Sequence, residues 1–122
     1  MTQNQLQHSE ISISAFPSFL SDKEVADLLV VTLEWVRAHA TEIPGIERLG
    51  SYYRFRSTMI EQWLGSLDRL LEAEQVAALL KVPTSWVYTN ANELPGVLRL
   101  GRYVRFRPNV IRHFLSGSGV AQ

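Results

Sequence analysis

An internal duplication limits the possible folds of this chain more than any other feature of its sequence. Displacing the sequence by 51 positions aligns residues 19–66 with residues 70–117 without a gap, and about 21 of the 48 aligned positions carry the same residue. Identity at this level indicates two copies of one small unit, which we call the first repeat and the second repeat. Residues 67–69 alone separate the copies. A connection this short predicts that the copies cannot rotate freely against each other.

Each repeat begins with the pattern of two short helices separated by a turn. Ser21 and Glu24 have the spacing of a capping box at the start of the first helix. Pro83 follows the first helix of the second repeat and predicts that a new helix begins there, because proline fits the first turn of a helix. The apolar stripes of the first helix are Val25, Leu28 and Leu29 in one copy and Val76, Leu79 and Leu80 in the other. The pattern predicts a helix-turn-helix in each repeat.

A short β-hairpin is predicted next, and its second copy is rich in arginine. Gly101 and Arg102 form the predicted turn, because glycine adopts a positive φ without penalty. Alternation predicts Leu98, Leu100, Val104 and Phe106 on the core side and leaves Tyr103, Arg105 and Arg107 outside. An open arginine face suits an anionic surface such as nucleic acid. The alternative is a solvated arginine face with no ligand.

A third helix closes each repeat, and in the second copy Pro108 is placed to begin it. Its apolar residues are Met59, Ile60, Trp63 and Leu64, matched by Val110, Ile111, Phe114 and Leu115. We expect the large aromatic residues to fill the two cores rather than to hold a ligand; they are Trp35, Phe55, Trp63, Trp86, Phe106 and Phe114. The predicted fold class is mainly α with small β-hairpins (α+β). Residues 1–18 are predicted to be a flexible arm and residues 118–122 a frayed tail.

The order and spacing of these motifs resemble the excisionase-type winged helix, which is related to the DNA-binding domain of MerR-type regulators. The resemblance rests on the run from Glu74 to Tyr88, on Glu93-Leu94-Pro95-Gly96 and on residues 98–102, and it extends over both repeats. It implies two tandem winged helix-turn-helix units in a sequence-selective DNA-binding protein of a mobile element. An excisionase or recombination directionality factor would bind and bend DNA. A small transcription regulator, or a protein-interaction module whose first repeat has lost groove reading, are the alternatives.

The resemblance also implies which side chains meet DNA. In the second repeat they are Thr84, Ser85, Tyr88, Thr89 and Asn92 from the recognition helix and Arg99, Arg102, Arg105 and Arg107 from the wing, while Val87 and Ala91 face the core. Weaker candidates in the first repeat are Arg37, Thr41, Arg48, Arg54 and Arg56. Leu33 and Glu34 stand at the front of that repeat's helix, where Glu34 would face phosphate. The first repeat has five basic and seven acidic residues and the second has six and three, so the second repeat is expected to dominate binding.

Composition argues against chemistry at a metal or cofactor. The chain has no cysteine, and His8, His39 and His113 are too dispersed for a metal site or a catalytic pair. The glycines are explained by turns, and no phosphate-binding loop is present. We therefore expect no enzyme activity and no cofactor. The polar start is not a secretory signal and no apolar run could span a membrane, which predicts a cytoplasmic, nucleoid-associated protein. Its expected partners are double-stranded DNA, a site-specific recombinase (integrase) or the transcription machinery, and further copies of itself along DNA.

Overall fold

The computed structural model describes residues 15–117, and both repeats have the same order of elements. The first repeat contains β1 (Phe19–Ser21), α1 (Asp22–Leu29), α2 (Leu33–Ala38), a 3₁₀ turn (Ala40–Glu42), β2 (Ile46–Leu49), β3 (Tyr52–Arg56) and α3 (Ser57–Leu64). The second contains β4 (Leu71–Glu72), α4 (Ala73–Leu80), α5 (Thr84–Thr89), a 3₁₀ turn (Ala91–Glu93), β5 (Val97–Leu100), β6 (Tyr103–Phe106) and α6 (Pro108–Ser116). The predicted tail, His8 and all but residues 15–18 of the predicted arm lie outside the described residues. The α+β class is confirmed, and the finer assignment to a winged helix stays a prediction.

The local sequence signals set the helix boundaries as expected. Ser21 Oγ accepts a hydrogen bond from the Glu24 backbone N–H at 3.0 Å, and Glu24 Oε1 accepts one from the Ser21 N–H at 2.8 Å. This reciprocal pair is the predicted capping box, and it satisfies two N–H groups that a helix start leaves without partners. In the second repeat α5 begins directly after Pro83, and Pro108 is the first residue of α6.

Each repeat has a three-stranded antiparallel sheet rather than a two-stranded hairpin. The returning strand of the hairpin lies in the middle, so β3 pairs with β1 and β2, and β6 pairs with β4 and β5. Strands β1 and β4 were not predicted. They are three and two residues long, and segments this short carry no readable alternation.

The register of the second hairpin corrects the predicted sides of its strands. Leu98 pairs with Arg105 and Leu100 pairs with Tyr103. Directly opposed residues of an antiparallel pair share one face, so both leucines lie on the side of the arginine. The prediction that they share a face with Val104 and Phe106 was wrong, because a two-residue turn places the residues that flank it on the same face.

The two repeats pack against each other through this leucine face. Leu100 is buried in the core of the first repeat, and Leu98 and Tyr103 pack against that core. The Tyr103 ring meets the Trp35 ring edge-on with centroids 6.0 Å apart. Gly101 has a φ of +61°, and a Cβ there would lie 3.3 Å from Trp35 Nε1. Glycine at this position therefore serves both the turn and the close approach of the first repeat.

The cores contain only some of the expected aromatic residues. Phe55 and Phe106 are fully buried, as are Val87 and Ala91, which confirms these four predictions. The core assignment of Trp86 was wrong, since 43% of this residue is exposed. Phe114, Leu79 and Leu115 of the predicted stripes are also exposed, as is Met59 of the first repeat. Trp35 and Trp63 are half-buried, and both pack against the first core.

None of the helices within residues 15–117 is both long enough and apolar enough to cross a bilayer.

Candidate nucleic-acid interface

Helix α5 and the 3₁₀ turn behind it present a row of exposed polar side chains. Ser85, Tyr88 and Thr89 are exposed and follow the spacing i, i+3, i+4 of one helix side, and Asn92 is exposed in the 3₁₀ turn that follows. Thr84, the remaining candidate of this helix, is half-buried. The opposite side of the helix is anchored by Val87, which is fully buried in the second core. Hydroxyl and amide groups in this arrangement can donate to phosphates and to base edges.

One arginine of the hairpin is bonded to this row, and a second is exposed at the tip of the same hairpin. Arg99 Nε donates to Asn92 Oδ1 at 2.8 Å, which ties strand β5 to the end of the helical segment. Arg102 is exposed in the turn between β5 and β6. Together Ser85, Tyr88, Thr89, Asn92, Arg99 and Arg102 form what we call the polar face. It carries two guanidinium groups and no carboxylate among its members.

Arg105 does not lie on an open surface, and that prediction was wrong. The residue is 8% exposed. Its Nη2 donates to the Val30 carbonyl at 2.6 Å and its Nε to the Leu29 carbonyl at 3.1 Å, both at the end of α1 in the first repeat. Carbonyl groups at a helix end lack partners within the helix and carry partial negative charge, so they attract a cation. Arg105 therefore holds the two repeats together.

Arg107 has a similar position and is also withdrawn from the predicted wing surface. It is half-buried, and its Nε donates to the Trp63 carbonyl of α3 at 3.0 Å. Its Nη1 donates to the Val97 carbonyl at 3.2 Å. Asn109 Nδ2 donates to the Gly65 carbonyl at 3.1 Å beside it. These donors satisfy backbone oxygens near the end of α3, as Arg105 does at the end of α1.

The matching helix of the first repeat offers a different surface. Leu33 is half-buried rather than exposed, whereas Glu34 and Thr41 are exposed. Arg37 Nε donates to Asp22 Oδ2 at 2.9 Å. Burial raises the pKa of Asp22, but the bond from Arg37, the N–H of Lys23 and the positive charges of Arg37 and Arg54 outweigh burial and hold that pKa below its ordinary value of 3.8. Arg37 is thus already paired with a carboxylate.

The three hairpin arginines of the first repeat also have partners within the chain. Arg48 Nε donates to the Gly50 carbonyl at 3.0 Å, and Arg56 Nη2 contacts Glu47 Oε1 at 2.8 Å. Arg54 Nη1 donates to the Tyr53 carbonyl at 2.7 Å. Each guanidinium also lies over an aromatic ring, 4.9 to 5.5 Å from its centre, as in a cation–π contact. These arginines are less available to an external anion than Arg102.

Sequence reasoning missed the exposure of Trp86, which lies next to Ser85 at the start of α5. No local signal could have revealed this, because Trp35 stands in the same position of the first repeat and is covered by the second. Within residues 15–117 no group of three or more acidic or histidine side chains is arranged to hold a metal ion. Comparison with protein-family models, with curated proteins and with solved structures found no match to this chain.

Proposed function

We propose that this chain is a sequence-selective, nucleoid-associated DNA-binding protein of a mobile element, of the excisionase or recombination directionality type. The observation that carries the proposal is the polar face. Helix α5 is six residues long, and an α-helix, about 10–12 Å across with its side chains, fits a major groove about 12 Å wide. In this proposal Arg99, which is bonded to Asn92, and Arg102, which is exposed at the hairpin tip, contact the backbone of the duplex. The resemblance of the second repeat to the excisionase-type winged helix supports the same assignment.

The division of labour between the repeats follows from their exposed chemistry. The second repeat presents hydroxyl, amide and guanidinium groups. The first repeat presents Glu34 at the equivalent of Ser85, and its arginines are paired within the chain. A carboxylate near phosphates is repelled by them. We therefore propose that the second repeat supplies most of the affinity and that the first repeat acts mainly as its support.

The test is selection of bound duplexes from a random pool, followed by titration of the selected duplex with variants. Arg99→Ala and Arg102→Ala should each weaken binding about five- to tenfold, a loss typical of one phosphate or base contact. Arg112→Ala removes the same charge from exposed α6 and is the matched control, with little effect expected. Recovery of no duplex at moderate salt, or equal losses for all three variants, would refute the polar face as a DNA surface. Footprints at an attachment site would favour excision, and footprints at a promoter would favour transcription control.

A further inference from the structure

The interface between the two repeats is formed by one face of each repeat, and because the repeats are copies, each of these faces has an equivalent in the other repeat. In the chain, the sheet face of the second repeat covers the end of the first repeat formed by α1, α2 and α3. Duplication gives the second repeat an equivalent end and the first repeat an equivalent sheet face, and neither is covered by the described chain. We call the first of these the end face, with Leu79, Trp86, Phe114 and Leu115, and the second the open sheet face, with Leu49, Tyr52 and Arg54.

The end face of the second repeat keeps the apolar residues of a covered surface. Leu115 is 44% exposed, whereas its equivalent Leu64 is completely buried. Leu79, Trp86 and Phe114 are likewise exposed, and their equivalents in the first repeat pack against the first core, which includes Leu70 and Leu100 of the second repeat. Single exposed apolar residues are common, but four that all correspond to interface positions mark an association surface.

The open sheet face shows the complementary pattern. Leu49 is 46% exposed and its equivalent Leu100 is 5% exposed. Phe19, at the start of β1, is 40% exposed, whereas its equivalent Leu70 is 1% exposed and donates its N–H to the Leu28 carbonyl at 2.8 Å. Tyr52 is also exposed. Apolar residues therefore remain at the positions that make the internal contact.

Arg54 is held in the conformation that its equivalent uses inside the interface. Both arginines donate Nη1 to the carbonyl of the preceding residue, at 2.7 Å for Arg54 and 2.9 Å for Arg105. Both guanidinium groups lie 4.9 Å from the ring centre of the tyrosine two residues earlier. The backbone that supplies the accepting carbonyl at Val30 has the same conformation at Lys81, because these residues end their helices with positive φ of 58° and 63°. Preorganisation on both sides lowers the cost of association.

At two positions the covered faces have apolar residues where the uncovered faces have charged residues. Leu98 pairs across the sheet with Arg105, which binds the Val30 carbonyl, so these apolar positions lie near each other. Their equivalents on the uncovered faces are Glu47 and Lys81, which carry opposite charges. Docking in the same way would bring Glu47, which also contacts Arg56 in its own chain, near Lys81 of the next copy. This complementarity favours a second copy of this chain as the occupant.

We propose that chains associate head to tail, with the open sheet face of one copy docked on the end face of the next as the repeats dock within a chain. The contact is heterologous, so each added copy presents a new pair of faces, and growth continues into a filament unless the rotation closes a ring. The inference does not depend on DNA binding, and its test contains no DNA.

The test is sedimentation velocity of the full chain over a range of concentrations. Without the short tether that joins the repeats, association should appear between about 10 µM and 1 mM. Leu49→Glu disables one face and Leu115→Glu the other, and both positions are exposed, so circular dichroism should show folded chains. Each variant alone should be monomeric. An equimolar mixture retains one intact pair of faces and should give a dimer that grows no further.

Met59→Glu is the matched control, since Met59 is an exposed apolar residue outside both faces. It should associate as the unmodified chain does. A monomer at all concentrations up to about 1 mM would overturn the proposal. A mixture that stays monomeric would overturn it as well. Mixing the two variants restores one intact contact only if the contact is heterologous, since in an isologous dimer both partners use the same face.

The charged pair gives a second, independent readout. Glu47→Lys and Lys81→Glu should each weaken association at least about fivefold, and the double variant should recover most of that loss. Additive losses in the double variant would show that these side chains do not meet across copies.

Discussion

Arg105 Nη2 donates to the Val30 carbonyl at 2.6 Å, across 75 residues of sequence and across the boundary between the repeats. The same guanidinium reaches the Leu29 carbonyl and its own strand through Val104. Val30 has a φ of +58°, which is unusual for a β-branched residue. Its carbonyl accepts the shortest of the hydrogen bonds from Arg105. One buried cation thus fixes the end of α1 and the position of β6 together.

We expect Arg105→Ala to lower the free energy of unfolding by about 3 kcal/mol, because it leaves buried carbonyl groups without a charged donor. Arg54→Ala is the matched control in the first repeat, where the same residue type lies on the open sheet face. It should cost less than about 1 kcal/mol. Urea unfolding of both variants measures the difference. Equal costs would mean that Arg105 contributes no more than a surface arginine.

The fate of the aromatic residues gives a second prediction. Phe106→Ala should cost about 3–5 kcal/mol, since its side chain is fully buried in the second core. Trp86→Ala should cost less than about 1.5 kcal/mol despite the larger side chain, because much of its surface is already in water. Thermal unfolding of the two variants compares them directly. A larger loss for Trp86 would place this side chain in the core after all.

The contrast between Trp35 and Trp86 shows what the sequence could and could not predict. Signals within a few residues, such as the Ser21–Glu24 box and the proline at position 108, set the element boundaries correctly. Both tryptophans have the same local pattern, yet only Trp35 is covered, because burial depends on where the other repeat packs. The fate of Arg105 was hidden for the same reason. Its partners lie far away in sequence, and a strand pattern does not say what covers its outer face.

The ion pair between Asp22 and Arg37 gives a dependence on pH. A folded-state pKa below the unfolded one means that the unfolded chain binds more protons, so this pair contributes stability above pH 3.8 and loses it as pH falls further. Asp22→Asn should lower the free energy of unfolding by about 1 kcal/mol at pH 7. The difference from the unmodified chain should shrink towards zero below pH 3.8. Asp27→Asn, at a more exposed carboxylate of the same helix, is the control. A gap that persists unchanged in acid would contradict the assignment.

The salt dependence of DNA binding separates the contributions of the two repeats. With Arg105 and Arg107 engaged in the internal interface, the polar face offers Arg99 and Arg102. Two phosphate contacts release few counterions, so log affinity should fall with log salt with a slope of about −2. Full engagement of the first repeat's arginines would steepen the slope to about −5.

Arginine variants in the two hairpins complete this last prediction. Arg102→Ala should bring the slope closer to zero by about one, whereas Arg54→Ala and Arg56→Ala should leave it nearly unchanged, because those two arginines are engaged within the first repeat. Glu34→Gln should raise affinity modestly if its carboxylate approaches phosphate when the second repeat is bound. Fluorescence anisotropy of one labelled duplex at four salt concentrations gives all of these values, after circular dichroism shows each variant to be folded. A slope of −4 or steeper that comes equally closer to zero in Arg54→Ala and Arg102→Ala would show that both repeats bind DNA alike.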